Sequence, residues 1–342
     1  MEHKIAIIGY FGYVNNQIDG QTIKTRELHS LIQKKAPDKI LTFYDTQKLQ
    51  DSPLYMLPLL RCAWKANILI YLPGKRSLLT LFPFLFLLSK IKKQKLIYPV
   101  VGGWLSEFIE KKKWLQYMLR KLTVVLVESH ALANRLVHTY HYQNIQVFPN
   151  FRTTTYKPII ETHTDLRIVF MARIMKEKGC DYIFDFAKHH LSKANKKSIT
   201  ISFYGPINEQ YKEEFLHNIN EYKFMQYGGI VPPQKVYKIL NQNDVLILPT
   251  YYDGEGFPGS IIDAYIAGIP VIVSRWKDLP EYVEERKTGF TFNLQNKTEF
   301  FSCIDQLLES PELLYNMKVH AREKSKEYSE ETAWKIIRRY IE

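Results

Sequence analysis

The feature that most constrains the fold is an alternation of short apolar runs with helical stretches, which occurs twice along the chain. The runs are rich in Val, Ile and Leu and end at Gly, Pro or Asn, as expected for strands buried on both faces of a parallel sheet. The predicted strands are Lys4–Ile8, Ile68–Tyr71, Leu96–Val101, Val124–Val127, Ile145–Phe148, Leu166–Met171, Ile199–Phe203, Val245–Leu248 and Val271–Val273. The predicted helices lie at about 22–36, 104–121, 130–140, 179–193, 233–241 and 260–268. This alternation predicts an α/β protein with two Rossmann-like, doubly wound parallel sheets.

A break in the pattern divides the 342 residues into two domains. The break, Phe151–Asp165, is rich in Thr and lacks apolar periodicity. We therefore predict an N-terminal domain over 1–155, a linker over 156–165 and a C-terminal domain over 166–310. Residues 311–342 are typical of two charged helices, and we expect the last to pack back toward the N-terminal domain. Two such domains predict a ligand cleft between them, at the carboxyl ends of the strands.

Charge is divided unevenly between the two halves. Residues 1–155 carry 22 Lys and Arg against 9 Asp and Glu, whereas residues 156–342 carry 25 against 26. Within the first half, residues 75–121 alone hold 11 basic and 2 acidic side chains. The basic half is expected to face an anionic partner, which could be phospholipid, a lipid-linked pyrophosphate or nucleic acid.

Cysteine content and hydropathy argue against a disulfide-rich, secreted or membrane-spanning protein. Cys62, Cys180 and Cys303 are too few and too widely spaced for a disulfide framework or a zinc cluster, which favours a reducing cytoplasm. The first residues lack a basic, long-apolar secretory leader. The longest apolar run, Leu78–Leu88, falls well short of the ~20 residues that a membrane span needs. We expect a cytoplasmic protein that is soluble or lies on a membrane surface.

The segment Thr250–Pro270 carries the strongest chemical signal. A buried strand leads into a glycine-rich loop, and a helix is predicted to begin near Ser260, a good N-cap, with Asp263 in its first turn. The N–H groups of a helix start attract an anion, and glycines let the backbone approach a ligand closely. Glu255 and Asp263 would repel an anion unless they accept hydrogen bonds from neutral hydroxyls, such as those of a sugar or ribose. The segment therefore predicts a nucleotide-sugar site; the alternative is an ordinary turn whose acids lie in solvent.

The spacing of Glu255 and Asp263 resembles the E-x7-E signature of retaining glycosyltransferases of family 4, which have the GT-B fold. Further features follow in family order over residues 166–292; they are Phe170–Gly179, Tyr204–Pro206, Tyr227–Val231, Gly268–Val273 and Glu281 with Gly289. The resemblance implies that Arg173 and Lys178 bind the donor diphosphate and that Glu255 orients the sugar, so these three are the implied catalytic residues. The implied donor contacts are Gly12, Gly205, Ile230, Gly256, Phe257, Pro258, Gly259, Ser260 and Asp263.

The resemblance is less complete in the first half. The loop Gly9–Gly20 is similar to the family's glycine-containing first loop, which approaches the donor and the acceptor. Asp19, Gly20 and Gly103 are the acceptor-side candidates, with an ordinary turn role as the alternative for Asp19. Two departures stand out: Asp263 is one methylene shorter than Glu, and Gly102-Gly103-Trp104 replaces a His that many members carry. A dehydrogenase fingerprint would need a tighter G-x-G-x-x-G and an acid closing the second strand, and neither is clear.

No Asp-x-Asp pair is available to hold a divalent ion on a diphosphate. We therefore predict catalysis without metal or cofactor, in which Arg173, Lys178 and helix dipoles compensate the charge. No motif identifies a carboxylate nucleophile, and the resemblance implies front-face transfer with the departing phosphate taking the acceptor proton.

The segments Lys75–Lys95 and Lys111–Lys121 mix cations with Leu, Phe, Trp and Tyr. Helices of this composition lie in the headgroup layer of anionic membranes. The alternative is a helix packed in the core with a solvated basic face, and no nucleic-acid-binding motif is present. We prefer the membrane interpretation, which places the protein on the inner face of the plasma membrane.

The leading hypothesis is a hexosyltransferase that moves a sugar from a nucleoside diphosphate, uridine being the more frequent base in the family, to a lipid-linked saccharide in capsule or exopolysaccharide synthesis. One alternative is a GT-B subunit that binds nucleotide or glycan without turnover, against which the presence of Glu255, Arg173 and Lys178 argues. Another is a nucleotide-sugar epimerase, which would need no acceptor and no basic aromatic surface.

Overall fold

The computed structural model describes residues 4–15, 17, 19–194 and 197–342; Asn16 and Ile18 of the first predicted ligand loop lie outside the described residues. Its strands are β1 (Lys4–Gly9), β2 (Ile40–Asp45), β3 (Ile68–Leu72), β4 (Lys95–Pro99), β5 (Val124–Val127), β6 (Ile145–Val147), β7 (Leu166–Met171), β8 (Ile199–Tyr204), β9 (Met225–Tyr227), β10 (Val245–Leu248), β11 (Val271–Ser274) and β12 (Gly289–Phe292). Its α-helices are α1 (Gly20–Lys35), α2 (Met56–Lys65), α3 (Lys75–Ile91), α4 (Leu105–Ile109), α5 (Lys113–Arg120), α6 (His130–Tyr140), α7 (Cys180–Ser192), α8 (Lys212–Asn220), α9 (Val236–Asn241), α10 (Gly259–Ile266), α11 (Lys297–Glu309), α12 (Pro311–Lys324) and α13 (Glu330–Ile341). Each of the predicted strands is present, which confirms the interpretation of the apolar runs.

The strands form two parallel sheets of six strands each. The first has the order β2-β1-β3-β4-β5-β6 and the second the order β12-β11-β10-β7-β8-β9. In the second sheet the chain enters at the centre, winds to one edge and then returns to wind to the other, which is the Rossmann order. These sheets confirm the predicted α/β fold class.

Both faces of the first sheet are buried by helices. This sheet lies in a unit of the chain that runs to Thr153 and resumes at Tyr328. Successive residues of a strand point to opposite faces, so Ile7 packs on one side and Ile8 on the other. The side of Ile7 is covered by α1 and α13, and the side of Ile8 by α2 to α6. The last helix of the chain is therefore part of the first unit.

The second unit comprises Thr154–Glu327. Residues ahead of β7, where the sequence predicts a linker, are bound to this unit by polar side chains, of which Lys318 is buried. Lys318 Nζ donates to the carbonyl oxygen of Glu161 at 2.7 Å and forms an ion pair of 2.5 Å with Asp244. Asn241 Nδ2 donates to the carbonyl oxygen of Ile159 at 2.8 Å.

The sequence patterns did not predict the strands β2, β9 and β12 or the helices α2, α3, α8 and α11. β2, β9 and β12 are edge strands of their sheets, and β9 has only three residues. Helix α3 is apolar around most of its circumference and contains Pro83, which hides its helical period. The predicted helix over 104–121 is in fact two helices, α4 and α5, because the chain turns between them.

Gly179→Ala tests the close packing of the turn before α7. Gly179 has a φ of +80°, and a Cβ there would lie 2.0 Å from the carbonyl oxygen of Pro249. We expect the substitution to lower the free energy of unfolding by about 2–4 kcal/mol, because the backbone must move. Gly20→Ala is the matched control, since no atom lies within 4 Å of a Cβ at that position. Denaturant unfolding measures both, and equal stability of the two variants would contradict the packing.

Candidate active site

The topology of the second sheet brings two loops together. β7 and β10 are neighbours in this sheet, although β8 and β9 separate them along the chain. Because the strands are parallel, the loops that follow β7 and β10 leave the sheet at the same edge. This is the switch point, where open α/β sheets bind their ligands.

A buried ion pair joins these two loops. Lys178 Nζ lies 2.5 Å from Glu255 Oε2, and each residue is only 7% exposed. Thr250 Oγ1 donates to the same oxygen at 2.8 Å. No group among the described residues is hydrogen-bonded to Oε1 of Glu255. Two donors thus hold the carboxylate through one oxygen, and the other oxygen can accept from a ligand.

The ring of Tyr252 lies beside both predicted cations. The Arg173 guanidinium is 5.4 Å from the ring centroid and Lys178 Nζ is 5.0 Å from it, so both are at cation–π distance. The backbone of Tyr252 is fixed, because its N–H donates to Thr250 Oγ1 at 3.1 Å and its carbonyl accepts from Trp276 Nε1 at 2.9 Å. The structure therefore brings Arg173, Lys178 and Glu255 into one cluster.

Gly205, a predicted donor contact, lies in the turn after β8, close to this cluster. Its φ is +135°, and a Cβ there would lie 2.0 Å from the carbonyl oxygen of Ala172, the neighbour of Arg173. Only glycine allows this approach. The next loop is attached to the same turn, because Gly205 N–H donates to the carbonyl oxygen of Gly229 at 2.9 Å. Ile230 follows there with 69% of its surface exposed.

The helix after Glu255 begins earlier than the sequence predicts. α10 starts at Gly259, its N-cap is Pro258, and no side chain caps it. Ser260 is therefore not the N-cap, and Asp263 lies beyond the first turn rather than in it. The reason is that Pro258 already has extended backbone dihedrals, so that helical geometry begins at the following glycine. The N–H groups of Gly259 and Ser260 belong to the first turn, which offers them no intrahelical acceptor.

Phe257 anchors the loop that carries Glu255 and Gly256. Its side chain is 3% exposed and stacks on Tyr282 with ring centroids 3.7 Å apart. The ring is thus part of the core. Any ligand contact by Phe257 would be made by its backbone.

The other predicted residues belong to the first unit. Asp19 caps α1, because its Oδ1 accepts from the N–H of Thr22 at 2.9 Å and its Oδ2 accepts from Gln17 Nε2 at 2.6 Å. Gly20 is the first residue of that helix. Gly12 has a φ of +69° in the preceding loop. These geometries assign Asp19 a capping role and leave its contact with an acceptor a prediction.

Gly103 follows β4, next to a second buried ion pair. Lys24 Nζ lies 2.8 Å from Glu128 Oε1, and the N–H of Gly102 donates to Glu128 Oε2 at 3.2 Å. Lys24 also donates to the carbonyl oxygen of Val100 at 3.0 Å. Many family members carry a His after the corresponding strand. This chain instead has a backbone turn at Gly102 and Gly103, which Glu128 holds.

Thr250 and Tyr252 also belong to the cluster, although the sequence patterns did not single them out. The position of Thr250 could have indicated a site residue, because it is the first polar residue after a buried strand. Nothing in the sequence distinguishes Tyr252 from Tyr251. In the described part of the chain, no three His, Cys, Asp or Glu side chains are grouped as a metal site; metal independence remains a prediction.

A family profile matches the part of the chain that contains this cluster. The family is described as glycosyl transferases group 1, and the match covers residues 152–324, half of the chain. The chain belongs to this family. Membership places the switch-point cluster inside the region that the family shares.

Comparisons with individual proteins agree with this assignment. The amylovoran biosynthesis glycosyltransferase AmsK of Erwinia amylovora is 27% identical over 132 residues, which are 37% of this chain and 32% of that protein. An N,N'-diacetylbacillosaminyl-diphospho-undecaprenol alpha-1,3-N-acetylgalactosaminyltransferase of Campylobacter jejuni is 27% identical over 31% of this chain and 27% of its own length. The matches thus span about a third of the curated relatives.

The fold of the whole chain is that of solved GT-B proteins. The structure of HepE from Anabaena, in complex with UDP and glucose, has a TM-score of 0.75 and covers 99% of both chains at 13% identity. This similarity confirms the GT-B fold that the sequence resemblance implied.

A double-mutant comparison tests the ion pair between the two loops. Lys178→Met leaves the Glu255 carboxylate buried without its cation, and we expect a loss of about 3 kcal/mol in the free energy of unfolding. Lys178→Met with Glu255→Leu removes both charges and should recover most of that loss. The exposed neighbour substitution Lys176→Met serves as the control. A double variant less stable than Lys178→Met would contradict the pairing.

Proposed function

We propose that the protein is a glycosyltransferase that moves a sugar from a nucleoside-diphosphate sugar to a saccharide acceptor in the synthesis of a surface polysaccharide. The observation that carries the proposal is the cluster of Arg173, Lys178 and Glu255 at the switch point of the second sheet. Family membership and the similarity to AmsK support the reaction class and the type of pathway.

The chemistry of the cluster fits the two parts of such a donor. Arg173 and Lys178, with the first-turn N–H groups of α10, can neutralise a diphosphate. Oε1 of Glu255 can accept from sugar hydroxyls while Lys178 and Thr250 hold Oε2. The UDP and glucose in the HepE complex support a uridine nucleotide, and the exposed Ile230 offers an apolar contact to the base.

The proposed transfer breaks the bond between the anomeric carbon and the diphosphate oxygen and forms one from that carbon to the acceptor oxygen. Negative charge develops on the departing diphosphate, where preorganised cations stabilise it most effectively. The acceptor hydroxyl gives its proton to the departing phosphate on the same face of the sugar, which retains the anomeric configuration. No metal is required in this scheme, because Arg173, Lys178 and α10 supply the positive charge.

The proposed acceptor is a saccharide on a lipid carrier at the inner face of the plasma membrane. The Campylobacter jejuni relative is named for a diphospho-undecaprenol acceptor. The excess of cations in the first half of the chain suits a lipid-linked pyrophosphate.

A thermal-shift screen across nucleotide sugars, followed by a transfer assay, tests the proposed function. A donor that binds the folded protein raises its melting temperature. Stabilisation by a UDP-sugar with product formation would support the proposal. Binding without turnover would favour a non-catalytic subunit, and conversion of the donor without acceptor would favour an epimerase.

Glu255→Gln is expected to reduce kcat by at least about a hundredfold, because the neutral amide orients the sugar poorly and holds Lys178 less firmly. The affinity for UDP, which lacks the sugar, should fall far less than kcat, because Lys178 and Arg173 both remain to bind the diphosphate. Steady-state kinetics and calorimetry separate the two effects. Glu177→Gln, an exposed carboxylate on the turn that carries Lys178, is the control. Wild-type turnover of Glu255→Gln would remove Glu255 from the mechanism.

Tyr252→Leu is expected to weaken UDP binding by about 3- to 30-fold, because two cation–π contacts that hold Arg173 and Lys178 are lost. Tyr252→Phe keeps the ring and should retain most of the affinity. The neighbouring Tyr251→Leu is the matched control for loop stability. If Tyr252→Leu bound UDP as tightly as the wild type, the ring would have no part in positioning the cations.

A further inference from the structure

Helices α2, α3 and α5 of the first unit carry apolar side chains on their outer surface as well as in the core. The outer surface of these three helices is called the basic apolar face here. It is defined by the exposed side chains Leu57, Trp64, Phe84, Leu87, Ile91 and Tyr117. All three helices also contribute to the buried core over the sheet face of Ile8, so the exposed side chains are a second apolar surface.

Helix α3 shows the two surfaces most clearly. Leu78, Phe82 and Leu85 are fully buried. Phe84, Leu87 and Ile91, at helical spacing on another side, are 66%, 59% and 66% exposed. A helix that is apolar on all sides needs a partner on both sides. None of the helices in the described ranges has the length and apolar character to cross a bilayer.

The apolar side chains of α2 join those of α3. Leu57 and Trp64 are 69% and 54% exposed, and their spacing of two helical turns places them on one side of α2. Lys92, directly after α3, places its Nζ 4.5 Å from the centroid of the Trp64 ring. Gln94 Nε2 donates to the carbonyl oxygen of Ala63 at 2.9 Å. The ends of α2 and α3 are therefore in contact.

Helix α5 continues the same surface on the other side of α3. Lys90 Nζ donates to the carbonyl oxygen of Lys121 at 2.5 Å, which joins the ends of α3 and α5. Tyr117 on α5 is 59% exposed, and Lys121 Nζ lies 5.9 Å from its ring centroid. Aromatic side chains, long apolar side chains and ammonium groups thus alternate across three adjoining helices.

The charge of this part of the chain selects the partner. Residues 52–121 contain thirteen Lys and Arg but only Glu107 and Glu110 as acids. If two copies of the chain met through this face, the like charges of the two faces would repel each other. An anionic bilayer instead offers negative headgroups to the cations and an apolar layer to the aromatic and aliphatic side chains.

We propose that the basic apolar face lies on an anionic lipid bilayer, with α2, α3 and α5 in its headgroup layer. This deepens the proposed function, because a transferase with a lipid-linked acceptor must reach the membrane surface. It also assigns the contact to α2, whose sequence gave no indication of it, together with α3 and α5.

Co-sedimentation of the full chain with lipid vesicles tests this surface. We expect binding to vesicles of phosphatidylglycerol mixed with phosphatidylcholine, weakened by salt, and little binding to phosphatidylcholine alone. Phe84→Ser with Leu87→Ser should weaken binding at least tenfold. Lys92→Gln with Lys121→Gln should weaken it about 25-fold, because each surface cation contributes roughly fivefold. Ile159→Ser with Leu191→Ser, exposed apolar positions of the second unit, is the matched control and should bind as the wild type does.

Three outcomes would overturn the proposal: no binding of the wild type to anionic vesicles, unchanged binding by both face variants, or equal losses in the control. A fourth outcome, a dimer in solution that the face variants abolish, would also overturn it, by assigning the surface to a second copy. Thermal unfolding of each variant shows that the variants are folded, and UDP affinity is measured without vesicles. The UDP affinity separates the two proposals, because a chain that binds vesicles but no nucleotide sugar would contradict the proposed function alone.

Discussion

The buried ion pair between Lys178 and Glu255 is the interaction on which the candidate site depends. Each charge is almost removed from water, so each requires the other and the hydroxyl of Thr250. The pair connects the loop after β7 to the loop after β10 and fixes where the remaining carboxylate oxygen can meet a ligand. The same arrangement makes the stability of the site sensitive to substitution, since the loss of either partner leaves an uncompensated buried charge.

The sheet supplies the geometry that the ion pair requires. In the Rossmann order β7 and β10 are adjacent, and both of their loops leave at the carboxyl edge. Gly179, in the loop after β7, packs against the carbonyl of Pro249, and Gly205, in the turn after β8, packs against the carbonyl of Ala172. Neither distance would leave room for a side chain. The rigid ring of Tyr252 lies beside Arg173 and Lys178. In the proposed mechanism the cations are thus in position before the diphosphate binds, which is the condition for effective electrostatic catalysis.

The two units differ in how they carry charge. In the second, the charges of the site are few: Lys178 and Glu255 form a buried pair, and Arg173 is exposed beside them. This suits the recognition of a small anionic donor. In the first, cations are numerous, exposed and mixed with aromatic side chains over α2, α3 and α5. This suits a broad anionic surface, where many weak contacts add up. The difference agrees with the proposed function, in which the donor is soluble and the acceptor is attached to lipid.

The sequence by itself determined the fold class, the central strands and the residues around Glu255, because buried parallel strands have continuous apolar runs and the acid-and-glycine loop has a recognisable spacing. It did not determine the edge strands β2, β9 and β12, whose short or half-exposed runs carry little periodic signal. Nor could it show that α10 begins at Gly259 or that Tyr252, rather than Tyr251, lies between the cations. The outward-facing apolar stripe of α3 likewise appeared only in three dimensions. These features depend on which side chains face one another across strands far apart in sequence, and only the packed chain decides that.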